Sequence, residues 1–134
     1  MKSRFACLVI LTVFGSAAPA AARVKCIALS PPTVAVDAAD PGAKFSNAMV
    51  KAKACAHSEA YKLASSPAAP EEIGPSIVDK CKDFVEEQAK YAASLGWTRD
   101  EIAKDRLKDL GEKAVSAVKE IRAGACPVTM KPAG

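Results

Sequence analysis

The residues of this chain most able to do chemistry are its cysteines and its single histidine, His57. Cys55 and His57 stand two positions apart in a segment with helical character, so their side chains point about 200° apart and cannot share a proton. The cysteines lack the Cys-x-x-Cys spacing of zinc sites, c-type haem attachment and thioredoxin-like redox centres. We therefore predict no catalytic residue, no cofactor and no metal site, and a protein that is not an enzyme.

The first 22 residues have the pattern of a secretory signal peptide. Lys2 and Arg4 precede an apolar run at 5–14, and a tract of small residues ending at Ala22 provides a cleavage point, with Arg23 as the first mature residue. The apolar run is shorter than the about 20 residues that a membrane-spanning helix needs. We expect an exported protein, periplasmic in a Gram-negative bacterium and secreted otherwise, with no stable membrane span after cleavage.

Four cysteines remain after the leader is removed, and an even number in an exported chain predicts disulfides. Cys55 and Cys81 lie at similar distances from a turn centred near 67–69, so a hairpin of two antiparallel helices brings their sulfur atoms to the same height. The arm before the first helix reaches roughly 50 Å when extended, which is enough to carry Cys26 to Cys126. Of the three pairings that four cysteines allow, we predict Cys55–Cys81 and Cys26–Cys126.

The apolar periodicity predicts an all-α fold, a three-helix antiparallel bundle with an extended N-terminal arm, stapled by two disulfides. After the signal peptide at 1–22, the expected segments are the arm at 23–40, the bundle at 41–126 and a flexible tail at 127–134. The helices are expected at about 41–64, 70–95 and 99–123. Two starts for the second helix stay open, Pro70 and Pro75. Pro75 either kinks a helix that begins at Pro70 or is itself the start of the helix.

The connection between the second and third helices carries several capping signals. Gly96 is typical of a helix C-cap, and Thr98 of an N-cap. Glu101 follows Thr98 at the spacing of a capping box, and Trp97 and Ile102 have the spacing of a hydrophobic staple. These signals predict a short turn that makes the two helices antiparallel neighbours.

Two groups on the first helix are candidates for a site. His57 and Tyr61 are four residues apart, so they share a face and are candidates for a small surface patch that binds a ligand. The alternative is that both pack against the N-terminal arm or lie at the surface without binding anything. Glu59 projects from the apolar stripe of this helix, either as an acid with a raised pKa or at the edge of the stripe beside a lysine.

The charge balance limits the partners that this chain can have. Loss of Lys2 and Arg4 with the leader leaves 17 of the 19 basic residues against 15 acidic ones. Such a balance does not favour nucleic acid, whose binding proteins concentrate basic residues in a patch. We expect a non-catalytic binding or structural module of the cell envelope or secreted space, with a protein as a potential partner. The alternatives are an inhibitor or immunity-type partner of another secreted protein, and a small thiol-dependent enzyme.

Overall fold

A computed structural model describes residues 24–30 and 40–134, so the expected leader, Arg23 and residues 31–39 of the arm lie outside the described residues. The described chain contains three helices, α1 (Pro41–Leu63), α2 (Pro70–Ser94) and α3 (Arg99–Arg122), and two short strands, β1 (Cys26–Ala28) and β2 (Met130–Pro132). The helices pack against one another, which confirms the predicted all-α bundle. Each helix begins at the predicted residue and ends one residue before the predicted end.

Helix α1 begins as predicted and carries the smallest side chains of the core. The Asp40 carboxylate accepts a hydrogen bond from the backbone N–H of Gly42 at 2.8 Å, and Pro41 occupies the first helical position. Most of its buried residues are alanines spaced four apart, Ala48, Ala52, Ala56 and Ala60, and Ala64 at the C-cap continues this column. Because alanine adds little bulk, the backbones of α2 and α3 can approach α1 closely.

Helix α2 begins at Pro70 and keeps Pro75 inside it, which resolves the alternative that the sequence left open. The Glu72 carboxylate accepts a hydrogen bond from the N–H of Ala69 at 3.1 Å and so satisfies a free donor at the helix start. Gly74 is buried against α3, where a Cβ at this position would lie 2.8 Å from Cγ2 of Val115. The glycine therefore permits the close crossing of α2 and α3.

The turn between α2 and α3 forms at the predicted residues but without the predicted capping box. Gly96 has a φ of 85°, the left-handed conformation expected after a helix C-terminus. Thr98 is the N-cap residue, yet its side chain makes no capping hydrogen bond. Trp97 packs edge-to-face on Phe45 of α1, with ring centroids 5.3 Å apart. This aromatic contact joins the turn to the start of α1 and stabilises it through packing rather than through a side-chain cap.

The far end of the bundle is closed by one arginine. The Arg122 guanidinium of α3 donates to the backbone carbonyls of Ala64 at 3.1 Å and of Ser66 and Ala68 at 2.7 Å each. These carbonyls belong to the turn after α1, where the last helical carbonyls have no partner within the helix. Arg122 thus stabilises the α1–α2 turn from a third helix.

Both predicted disulfides are present. Cys55 of α1 is bonded to Cys81 of α2, with Cα atoms 5.9 Å apart, and Cys26 is bonded to Cys126, with Cα atoms 5.7 Å apart. The first links the two helices of the hairpin at the core face of α2, where Cys81 is completely buried. The second joins the start of the described chain to the residues after α3.

The segment expected as a flexible tail at 127–134 instead contains β2, which pairs with β1 in antiparallel fashion. Cys26 lies opposite Pro132, and Ala28 lies opposite Met130. The pairing holds because Cys26–Cys126 brings the two segments together and because Met130 is buried against the bundle, 8% exposed. We refer to β1, β2 and the residues that join β2 to α3 as the ribbon.

Candidate ligand-binding site

The structure places His57 and Tyr61 together but under the ribbon, and not in the surface patch that the sequence suggested. His57 is only 5% exposed, and its Nδ1 lies 2.7 Å from Oγ1 of Thr129. The Tyr61 hydroxyl accepts a hydrogen bond from the backbone N–H of Cys26 at 3.3 Å. Both side chains therefore attach the ribbon to α1, which is the packing alternative.

The electrostatics of His57 agree with a structural role. Burial lowers the pKa of His57 below its ordinary value, the positive charges of Lys53 and Lys113 lower it further, and only Glu120 acts in the opposite direction. The neutral imidazole is therefore the favoured form. In that form it can hold the hydrogen bond with Thr129 in a partly buried setting.

Glu59 lies beside lysines, which is the second of the two interpretations that the sequence allowed for this residue. Its carboxylate accepts hydrogen bonds from Lys62 on the same helix and from Lys80 of α2, the latter at 2.9 Å. The hydrogen bonds from these two lysines lower the pKa of Glu59, those from Lys62 most. A general acid at neutral pH needs a raised pKa, so this glutamate serves to link α1 to α2.

A cavity of about 260 Å³ opens between all three helices, about one helical turn from the Cys55–Cys81 disulfide. Its floor is formed by four side chains that are at least 95% buried: Ala52, Val85, Gln88 and Leu110. Its rim is formed by longer side chains from α1 and α3: Met49, Val50, Lys53, Arg106, Asp109 and Lys113. An apolar floor with a few polar groups is the usual composition of a small-molecule site.

Gln88 is the unusual residue of this floor. It is 1% exposed on the core face of α2, and within residues 24–30 and 40–134 its side-chain Nε2 has no hydrogen-bond partner. An amide donor buried without a partner costs about 1–3 kcal/mol of stability. Buried polar groups in native proteins almost always have a partner, so the chain itself leaves unsatisfied a donor of a residue that lines the cavity.

Arg106 repeats this pattern at the rim. Its Nε is also buried without a hydrogen-bond partner among the described residues, and no carboxylate in that part of the chain forms a salt bridge with it. The guanidinium lies 6.0 Å from the centre of the Phe45 ring, within the range of a cation–π interaction. Gln88 and Arg106, each with a buried nitrogen that has no partner among the described residues, therefore line the same cavity.

The remaining charges of the cavity are positive in balance. Lys53, Arg106 and Lys113 are cationic, and Asp109 is the one carboxylate among the lining residues. Asp109 is already paired with Lys113 one turn along α3. The field in the cavity therefore favours an anion or an oxygen acceptor.

The sequence explains why a cavity forms at this level of the bundle. Ala52 presents only a methyl group where α1 faces α2 and α3. Ala52 and Val85 stand one helical turn from Cys55 and Cys81 respectively, so the disulfide holds the spacing of α1 and α2 beside the floor. Met49, another lining residue, is 40% exposed.

The sequence contains one signal for this site. Gln88 falls on the predicted apolar face of the second helix between Val85 and Ala92, where a long polar side chain is uncommon. Arg106 gave no such signal, because arginine is ordinary on the outer half of a helix. Asp109 is paired with Lys113 four residues along α3, but its place beside a cavity depends on how α3 is rotated in the bundle.

Comparisons with protein-family models, with curated proteins and with solved structures gave no match for this chain. Within residues 24–30 and 40–134, no group of three or more histidine, cysteine or acidic side chains is arranged to hold a metal ion. In the same part of the chain no helix has the length and apolar character to cross a membrane.

Proposed function

We propose that this protein is an exported, non-catalytic module that binds a small molecule in the cavity between α1, α2 and α3. The observation that carries the proposal is Gln88, a residue of the cavity floor whose buried Nε2 has no hydrogen-bond partner within the described residues. A bound acceptor would satisfy this donor and fill apolar space at the same time. Ligand binding then compensates a cost that the unliganded protein carries.

The composition of the cavity supports binding over catalysis. The amide of Gln88 neither gives nor takes a proton at neutral pH, and a guanidinium such as that of Arg106 keeps its proton in proteins. His57, the strongest proton-transfer candidate of the chain, is not a lining residue and is engaged with Thr129. A thiol-dependent enzyme would need a reduced cysteine, whereas the four cysteines of the described residues are all disulfide-bonded.

Two features support export. Disulfides persist in oxidising compartments such as the periplasm and the extracellular space, and this chain has two of them in a small domain. The leader at 1–22 has the sequence pattern that directs a chain there. N-terminal sequencing of the protein recovered from a secreting host tests this part of the proposal. We expect Arg23 as the first residue, and an intact leader on the recovered protein would contradict export.

Nuclear magnetic resonance tests the binding function without assuming a ligand. The oxidised protein, labelled with ¹⁵N, is screened against a mixed library of neutral, anionic and cationic compounds of about eight to ten non-hydrogen atoms. We expect the backbone signals that move to belong to the lining residues of α1, α2 and α3. Shifts confined to the ribbon, or no shifts with any compound, would contradict the proposal. Recovery of each bound compound unchanged after prolonged incubation distinguishes binding from turnover.

A further inference from the structure

The geometry points to a chemical class for the ligand: we infer that the cavity binds a small carboxylic acid, with its carboxylate at Gln88 and Arg106 and its aliphatic body against the apolar lining. This inference rests on the proposed binding function and deepens it. It follows from three properties of the cavity, which are its unpaired donors, its balance of charge and its size.

The donors select the head group. Gln88 offers an amide N–H and Arg106 a guanidinium, and neither has a partner for its buried nitrogen among the described residues. A carboxylate has two oxygens and can accept from two donors at once, and hydrogen bonds that involve charged groups are the stronger ones. An alcohol can accept at one oxygen only and brings no charge. An ammonium group cannot accept at all.

The charges of the lining residues determine which sign of charge the ligand should carry. The lining holds three cationic side chains against one carboxylate, and Asp109 is already paired with Lys113. Lys53 and Arg106 therefore contribute positive potential that no lining carboxylate cancels. A ligand with one negative charge is attracted by this potential, and a cationic ligand of the same shape is repelled.

The walls and the volume select the body of the ligand. Met49, Val50, Val85 and Leu110 give the lining its apolar part, and Ala52 leaves room between them. A volume of about 260 Å³ corresponds to roughly eight or nine water molecules at ~30 Å³ each. A monocarboxylate with a short aliphatic chain matches this volume, and hexanoate is a suitable probe.

Three probes with the same chain test the head group. Hexanoate, 1-hexanol and hexylammonium are titrated into the oxidised protein at pH 7.5 and low salt, with affinity measured from the chemical shifts of lining residues. We expect hexanoate to bind at least tenfold more tightly than 1-hexanol and hexylammonium, and its affinity to fall as salt is raised. If 1-hexanol or hexylammonium binds in the cavity as well as hexanoate, the ligand class is wrong while the binding function stands. If none of the three shifts a lining residue, both are wrong.

Two substitutions on α3 test the assigned residues with net charge held equal. Arg106→Met removes the guanidinium whose Nε has no partner among the described residues, and Lys104→Met removes an exposed cation that does not line the cavity. We expect Arg106→Met to weaken hexanoate at least tenfold and to leave 1-hexanol within twofold, with Lys104→Met within twofold for both. Equal losses in the two variants would reduce the effect to general charge and overturn the inference.

Gln88→Met tests the floor, because methionine keeps the unbranched shape and removes the donor. We expect hexanoate to bind at least fivefold more weakly and the unliganded protein to melt at an equal or higher temperature. An unchanged hexanoate affinity would remove Gln88 from the inference. If this variant fails to fold, the Arg106 and Lys104 pair still decides the question.

Discussion

Two helical glycines at the crossing of α2 and α3 should respond to alanine in opposite directions. Gly74 of α2 and Gly111 of α3 each lie inside a helix, where alanine is intrinsically favoured by about 1 kcal/mol. The space around them differs. A Cβ at Gly111 would lie 3.5 Å from Cγ2 of Val78, an ordinary contact, whereas a Cβ at Gly74 would lie 2.8 Å from Cγ2 of Val115.

The magnitudes follow from these distances. Gly111→Ala should keep the whole gain in helix propensity and stabilise the protein by about 1 kcal/mol. Gly74→Ala has the same gain but forces Val115, whose side chain strongly prefers one rotamer in a helix, to move or the helices to separate. Overpacking of this kind costs about 1–3 kcal/mol, so the net effect is a loss of about 1 kcal/mol. The two variants should differ by about 2 kcal/mol, or about 10 °C in Tm.

Urea unfolding followed by circular dichroism measures both variants, and a third variant isolates the cause. In a Val115→Ala background the clashing methyl group is absent, so Gly74→Ala should become stabilising. A Gly74→Ala protein as stable as Gly111→Ala would refute the close crossing of α2 and α3. A loss that persists without Val115 would show that the cost does not come from this contact.

Three further predictions concern the disulfides, the bundle end and the ribbon. The disulfides Cys55–Cys81 and Cys26–Cys126 span 26 and 100 residues, so in the chain-entropy relation their reduction removes about 3.5 and 4.7 kcal/mol of stability. Losses of this size are comparable to the whole stability of a small domain, so most of the helical circular dichroism signal should be lost. A reduced protein that keeps its full signal and Tm would contradict this. Arg122→Met should destabilise the protein by about 1–2 kcal/mol in urea unfolding, because it leaves three backbone carbonyls without their donor. The control is Lys119→Met, which removes an exposed ion pair with Glu71 and should cost under about 0.5 kcal/mol. Equal effects of the two substitutions would contradict the capping role of Arg122. Because the pKa of His57 is lowered in the folded state, the unfolded chain binds more protons than the folded protein near and below about pH 6.5. The free energy of unfolding should therefore fall as the pH is lowered from about 7 to about 5.5. His57→Gln should flatten this slope, and an unchanged slope would exclude His57 as its source.

The fold could be predicted from the sequence because the signals that determine it are local. Helix periodicity, the Asp40-Pro41 start and Gly96 each act within a few residues, and the bundle follows from three helices with short connections. The disulfides followed from geometry, since Cys55 and Cys81 are symmetric about one turn. The capping box at Thr98 failed because tertiary packing of Trp97 on Phe45 already fixes that turn.

The ribbon and the cavity could not be predicted from the sequence in the same way. Strands of three residues carry no readable periodicity, and β2 forms only because Cys26–Cys126 and the Thr129–His57 contact hold it over α1. The cavity depends on the rotation of three helices about their axes, which decides that Arg106 and Gln88 face the same space. A polar residue on an apolar face is visible in sequence, but whether it has a partner is a property of the folded structure.

The side-chain amide of Gln88 offers the most direct test of the account. Gln88 is the only glutamine and Asn47 the only asparagine of the chain, so a ¹⁵N-labelled sample gives two side-chain amide pairs that a single substitution assigns. Asn47 does not line the cavity and serves as the internal reference. We predict that saturating hexanoate shifts the Nε2 protons of Gln88 downfield and slows their exchange with solvent, while the Asn47 signals stay in place. A Gln88 amide that does not respond, in a sample where hexanoate is shown to bind, would contradict the account.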